Sequence, residues 1–316
     1  MRRILLFGLG AVTTLFFACG GTGGSGFQDH SDGGGGGAGS GGAGGSHGAP
    51  NFGDASSSGP DSSSPPSDCS AAAKLVYVID DAGILYSFDP SSLTFTKIGS
   101  THCPGASGTN SMAVDRSATA WVNDQNGQIY KVSTADASCT TTTFLPRQHG
   151  FGTQFGMGFS ADMAGGSAET LYVDGIGGKG LATIDLGTMT LNPIGLFSSP
   201  LTRADCELTG TGDGRLYGFF TNRPASVAQI DKTNASILSN APQVGVNTGT
   251  DWAFSFWGGS FYLYTANTTF KPSDTSNVTQ YDPVAVTTKI VLTQIGFRIV
   301  GAGVSTCAPV TPPPVK

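Results

Sequence analysis

A five-fold internal repeat is what most limits the folds open to this chain. An aliphatic residue, two variable positions, an apolar residue and usually Asp recur at Leu85–Asp89, Ile129–Ser133, Leu181–Asp185, Val227–Asp231 and Val278–Asp282, at spacings of 44, 52, 46 and 51. Each copy follows a β-branched and aromatic run: Leu75–Val78, Thr119–Val122, Thr170–Val173, Arg215–Gly218 and Ser260–Leu263. Four copies precede a short run ending in Gly99, Gly195, Gly245 or Gly296. No 3.6-residue apolar period is sustained, and Gly, Asn, Asp and Pro clusters separate the runs, which is the pattern of an all-β chain. A further run opens four of the units, near Ser111, Gly156, Cys206 and Trp252, and is missing from the first. Its counterpart is Arg298–Val304, 47 residues after Asp251. A period of this length with four strands per unit predicts propeller blades. The expected fold is therefore an all-β, five-bladed β-propeller of four-stranded blades. The C-terminal strand supplies the innermost strand of the first blade, which removes the open sheet edges that invite aggregation. A β-sandwich or a β-helix requires no missing strand to return from the far end.

The repeat begins only near residue 74. Residues 20–68 contain no Lys, Arg, Leu, Ile or Val and hold many of the 48 glycines. Such a segment cannot bury enough apolar area to offset the entropy of ordering it. As a flexible coil it spans about 35–42 Å. The net charge is −6, and about −8 without Arg2 and Arg3. With no basic run, the chain lacks what neutralises phosphates, so nucleic acid is not an expected partner. The folded part has no basic amphipathic stretch for a membrane surface either.

Met1-Arg2-Arg3 precedes an apolar run from Ile4 to Ala18, broken only by Thr13 and Thr14. This is shorter than the about 20 residues of a membrane span and matches the apolar region of a signal peptide. The run ends in Leu15-Phe16-Phe17-Ala18-Cys19-Gly20, which resembles a bacterial lipobox, with Phe17 bulkier than that family's usual residue. The resemblance implies cleavage before Cys19, acylation of Cys19 (a palmitate-type anchor) and attachment to a membrane through the lipid. Gly20 in place of Asp resembles outer-membrane sorting. The expected layout is a signal peptide over 1–18, a lipidated cysteine and tether over 19–68, a propeller over 69–310 and a Pro-rich tail over 311–316. With its five divergent blades, the whole resembles secreted propeller lipoproteins of Gram-negative bacteria, periplasmic or surface-exposed, most without an assigned activity. A monomer is expected.

Five cysteines remain, in a compartment where disulfides are expected. Cys69 precedes the second strand of the closing blade and Cys307 follows its first, so the two should meet at one turn. Cys103 lies just before a blade and Cys139 just before that blade's last strand, so a second pair between them is expected. Cys206 is left as a buried thiol on an inner strand. The histidines of the folded part, His102 and His149, lie in loops and complete no catalytic arrangement with it.

Several motifs look chemical and have plainer explanations. Gly175-Ile176-Gly177-Gly178-Lys179-Gly180 matches a dinucleotide-binding fingerprint, but a strand follows it where that motif needs a helix, so a hairpin turn is expected. Gly44–Gly48 matches a nucleophile elbow inside the tether, where composition explains it. The recurring Asp89, Asp185, Asp231 and Asp282 should cap turns. No metal-ligand spacing appears, and no metal or cofactor is expected. The sequons at Asn234, Asn267 and Asn277 are discounted because the lipobox points to a bacterial host.

Aligning the units places Asn110, Phe155, Asp205, Asp251 and Arg298 one position before each innermost strand, at spacings of 45, 50, 46 and 47. In a propeller these positions ring one mouth of the central channel. Glu207 and Trp252 are their neighbours in sequence. Polar groups beside an aromatic platform suit a small polar ligand or a carbohydrate in a concave site. Three functions follow. The first is a non-enzymatic binding or scaffolding module on the cell envelope, with a protein partner. The second is a glycan-binding module. The third is a carbohydrate-active hydrolase, which needs paired carboxylates from Asp205, Glu207 and Asp251.

Overall fold

The computed structural model describes residues 69–266, 271 and 274–314. The expected signal peptide, Cys19, the tether to residue 68 and the sequon at Asn267 lie outside the described residues. Twenty strands form five antiparallel four-stranded sheets. Blade 1 holds β1 (Val76–Asp80), β2 (Ile84–Asp89), β3 (Thr94–Ser100) and β20 (Ile299–Val304). Blade 2 holds β4 (Thr109–Val114), β5 (Thr119–Asp124), β6 (Ile129–Ser133) and β7 (Cys139–Thr141). Blade 3 holds β8 (Phe155–Ala161), β9 (Glu169–Gly175), β10 (Gly180–Asp185) and β11 (Thr190–Gly195). Blade 4 holds β12 (Cys206–Gly210), β13 (Leu216–Phe220), β14 (Ala225–Ile230) and β15 (Ile237–Gln243). Blade 5 holds β16 (Asp251–Trp257), β17 (Ser260–Ala266), β18 (Asn277–Asp282) and β19 (Thr287–Leu292). Blade 1 runs in the order β20-β1-β2-β3, so the C-terminal strand is its innermost one. Val76 lies opposite Val304 and Ile79 opposite Gly301.

Strand alternation explains where the core sits. Val76 and Val78 point into the seam with blade 5, beside Tyr262 and Tyr264. Tyr77 and Ile79 point the other way, into the seam with blade 2, beside Met112 and Val122. Both faces are covered, so β1 is buried at every position and reads as one apolar run. Among the described residues the core is thus mainly five inter-blade clusters, one per seam, of aliphatic side chains and aromatic rings, with the rings densest between blades 4 and 5.

With only five blades the innermost strands crowd the axis. Glycine allows this: a Cβ on Gly303 would lie 2.9 Å from the Ala113 backbone of the next blade, and one on Gly158 would lie 2.8 Å from Leu208. The outer edges are guarded differently. Lys97 and Lys289 stand on β3 and β19, Pro193 and Pro242 on β11 and β15, and β7 is only three residues long. Each device discourages pairing with another chain. Asp89, Asp185, Asp231 and Asp282 each accept a backbone N–H two residues on, as turn caps do, and Ser133 takes that place in blade 2.

Disulfides join Cys69 to Cys307 and Cys103 to Cys139. Cys206 is free and buried. Beyond β20 the chain does not leave the surface at once: the Gly258 N–H donates to Pro309 O at 2.8 Å, and Pro312 and Pro313 lie against Gly258 and Gly259.

Glu169 holds the closing segment from blade 3. It accepts the Arg116 backbone N–H at 2.7 Å and the Thr306 hydroxyl at 2.8 Å. Burial raises its carboxyl to about 7, against the lowering effect of those bonds and of the Arg116 charge. In the folded state the group keeps its proton between about pH 4.5 and 7, while the unfolded state has lost it, so stability falls as pH rises through that window. The loss is on the order of 3 kcal/mol. Glu169→Gln should flatten that part of the stability–pH curve, measured by urea unfolding at pH 4.5 and 7.5. An unchanged slope would show that Glu169 is not its source.

Candidate functional site

Innermost strands begin, and second strands end, at the same end of the ring, so their entry and exit residues converge on one mouth of the channel. A hollow of about 350 Å³ lies there. Five of the seven residues expected at the mouth line it: Asn110, Glu207, Asp251, Trp252 and Arg298. Two β-bulges help to shape it. Asn110 is the extra residue between Thr109 and Ser111 on β4, and Val300 the extra residue on β20 opposite the step from Ile79 to Asp80. A bulge turns a side chain away from the ladder, and both extra residues line the hollow.

The polar groups hold one another in place. Arg298 Nη1 donates to Asp251 Oδ2 at 2.5 Å, and Thr250 Oγ1 to the same oxygen at 3.0 Å. Arg298 Nε lies 3.8 Å from Asp81 Oδ2. The Asn110 amide donates to Asn123 Oδ1 at 2.9 Å and to Phe155 O at 3.2 Å. Glu207 is buried and accepts the Ser111 hydroxyl at 2.6 Å, which ties blade 4 to blade 2 across the axis. Burial pushes the Glu207 carboxyl well above its usual range, and the bonds from Ser111 and Met157 only partly offset this. Burial thus favours the neutral form of this carboxyl at the edge of the hollow. The indole of Trp252 is half-buried on the wall.

Two expected mouth residues point elsewhere. Phe155 is already inside β8, opposite Gly175, and its ring packs in the seam between blades 2 and 3, edge-on to Phe144 at 5.9 Å. The repeat alignment is off by one here, and Gln154 lines the hollow instead. Asp205 does precede its strand, but its carboxylate turns to the β9–β10 hairpin and accepts the Gly177 and Gly178 N–H groups at 2.8 and 2.9 Å. The glycine-rich segment is thus a turn, and its backbone donors are filled by the protein's own carboxylate.

Sequence reasoning missed a second ring. Asp81, Gln125 and Ile176 each follow the second strand of a blade and line the hollow. Their spacings, 44 and 51, repeat the period of the chain, and that signal was there to be used.

Cys206 is no nucleophile in this setting. Burial pushes its thiol well up, as do the charges of Asp174 and Glu207. Its neighbour Asp174 is also buried, with a carboxyl pushed well above the usual range, and accepts the Cys206 N–H at 2.7 Å. Among the described residues, no group of three or more His, Cys, Asp or Glu side chains is placed to hold a metal ion.

No protein-family model matches this chain, and no curated protein matches it in sequence. Solved structures do. An auxiliary nutrient binding protein from Bacteroides thetaiotaomicron VPI-5482 is 11% identical over 69% of this chain and 54% of its own, with a TM-score of 0.41. A structural genomics protein of unknown function from the same organism is 14% identical over 69% of this chain and 58% of its own, with a TM-score of 0.43. The Pan2 WD40 domain of Neurospora crassa is 14% identical over 69% of this chain and 62% of its own, with a TM-score of 0.41. The chain spans between about half and three fifths of these proteins' lengths. Identities this low, with TM-scores below 0.5, carry nothing about a ligand.

Proposed function

We propose that the chain is a non-enzymatic binding module whose ligand site is the channel-mouth hollow, and that the ligand is a neutral glycan. The observation that carries this is the chemistry of one wall set: side-chain amides from Asn110, Gln125 and Gln154, the buried carboxyl of Glu207, and the half-buried indole of Trp252. Sugar hydroxyls need donors and acceptors together, and a sugar's apolar face needs an aromatic ring. Among the described residues Arg298 is the one cation lining the mouth, and it is paired with Asp251, which leaves an anionic ligand little to gain. On a glycan array and a cell-wall pull-down, the full chain should bind saturably, and Trp252→Ala should weaken the best hit by roughly tenfold or more. Wild-type protein that binds no glycan sinks this reading and leaves a protein partner.

Hydrolysis is the lesser reading. Burial shifts the Glu207 carboxyl in the direction a general acid needs, but a glycosidase needs a second carboxylate to act as base or nucleophile. Asp205 is committed to Gly177 and Gly178, and Asp251 to Arg298.

The location is also a proposal: an envelope lipoprotein held by acylated Cys19. It rests on the apolar run to Ala18, the lipobox-like residues and the two disulfides. Labelled palmitate fed to cells should enter the protein, and Cys19→Ala should remove both label and membrane association. A Cys19→Ala variant that still fractionates with membranes would overturn it.

A further inference from the structure

The mouth hollow is not closed at its rim. Asp81 and Arg298 line it and also line a second hollow, of about 500 Å³, which runs outward along the seam between blades 1 and 5. The wall of this outer hollow includes Tyr86 and Phe297. Their rings are stacked, with centroids 4.2 Å apart and 9° between the planes. Phe95 meets Phe297 edge-on at 5.3 Å, which fixes the second ring. The first is fixed by its phenol, which donates to Asp80 Oδ2 at 3.2 Å. The other Asp80 oxygen accepts the Ala82 and Ile84 N–H groups at 3.0 and 2.7 Å, so the anchoring carboxylate is itself held by the β1–β2 turn. These contacts hold the aromatic wall in place, so little rotamer freedom remains to be lost on binding.

We propose that the two hollows are stations of one cleft, and that the glycan taken at the mouth is an oligosaccharide whose next units lie along Tyr86 and Phe297. This rests on the glycan reading above and adds the length and direction of the ligand. Each hollow alone falls within the ~300–1,000 Å³ of a small-molecule site, so the joined pair suits several linked units better than one. Each also has an aromatic wall, Trp252 in the inner and Tyr86–Phe297 in the outer, and stacking on successive rings is how a polar chain with apolar sugar faces gains contact area. The charges along the cleft are mixed in sign, with Lys271, Asp80 and Asp274 on the outer wall beside Asp81 and Arg298, so they favour no polymer of one charge. Arg298, the cation between the two hollows, lies 2.5 Å from Asp251 and 3.8 Å from Asp81, so it is already paired.

The test takes the best hit of the array and titrates the full chain calorimetrically with its one- to six-unit oligomers. Affinity should rise by roughly tenfold or more between one unit and four. Tyr86→Ala should abolish that rise and leave the single unit's Kd within about twofold, as expected when only remote contacts are lost. Because Tyr86 also packs against the core, Ala82→Trp serves as a second variant: Ala82 is exposed and lines the outer hollow but not the one at the mouth, so an indole there is placed to obstruct the outer side alone of the two. It too should remove the gain with length while the melting temperature stays put. A single unit that binds as tightly as four, or variants that weaken both equally, overturn the cleft and leave the mouth site standing. Binding of no oligomer at all overturns both.

Discussion

Gly156→Ala is expected to leave almost no folded protein. The added methyl would lie inside van der Waals contact of the Cys206 carbonyl and 3.0 Å from Glu207 Cα, both backbone atoms of the neighbouring blade. Neither side can retreat. Gly156 is paired with Asp174 within its own blade, Cys206 is paired with Phe220, and the Cys206 N–H is bonded to Asp174. The blades form a closed ring, so moving one inner strand outward compresses the next seam. Overpacking a core costs about 1–3 kcal/mol where side chains can repack, and more where backbone must move. Here backbone must move on both sides of the seam, so the cost should exceed about 5 kcal/mol, the low end of a total stability of about 5–15 kcal/mol, and little folded chain remains. The control is Gly152→Ala, at a position where a Cβ would meet nothing within 4 Å; its effect should stay within about 0.5 kcal/mol. Soluble yield and thermal melts followed by circular dichroism compare the two. A Gly156→Ala protein that melts within a few degrees of wild type would show that the inner strands are not as tightly set as described.

Gly156 also illustrates what the sequence did and did not reveal. Its strand, and the return of Arg298–Val304 to blade 1, followed from spacing, because each blade repeats the same four-strand solution to burying two faces. The seam pairing of Cys69 with Cys307 followed from the same closure. The site was harder to read. Asn110, Asp251 and Arg298 sit at repeat-equivalent positions, and the fold places all three at the hollow. Phe155 was misplaced because a repeat alignment does not know where a strand's first paired residue falls, and one position decides whether a side chain faces a seam or the channel. The bulges at Asn110 and Val300 leave no trace in hydrophobic pattern. The turn of Asp205 toward Gly177 and Gly178 depends on a hairpin 27 and 28 residues away in sequence, whose distance in space only the fold supplies.

The second large effect is expected at the closure itself. β20, which arrives last from the far end of the chain, is the one innermost strand with no short connection to the next strand of its own blade. β20 is paired with β1, and the segment after it is tied down by Ser305 Oγ donating to Ala73 O at 2.6 Å and by Glu169 and Arg116 on Thr306. The Cys69–Cys307 bond adds a covalent link across 238 residues. In the chain-entropy model, opening a loop of that length costs about 5 kcal/mol, against about 4 for the 36-residue Cys103–Cys139 loop. The two should differ more in where they act than in how much. Replacing Cys69 and Cys307 by serine should raise hydrogen exchange selectively in β20 and β1, because the ring opens where its only covalent tie was lost. Replacing Cys103 and Cys139 should loosen only β7 and the loop before blade 2. Uniform loss of protection in both variants would mean that the five blades unfold as one unit and that the seam of blade 1 has no separate stability. Selective loss would instead make the closing strand the first part of the domain to open, with the Cys307 sulfur, buried in the intact ring, exposed to reductant only in that open state.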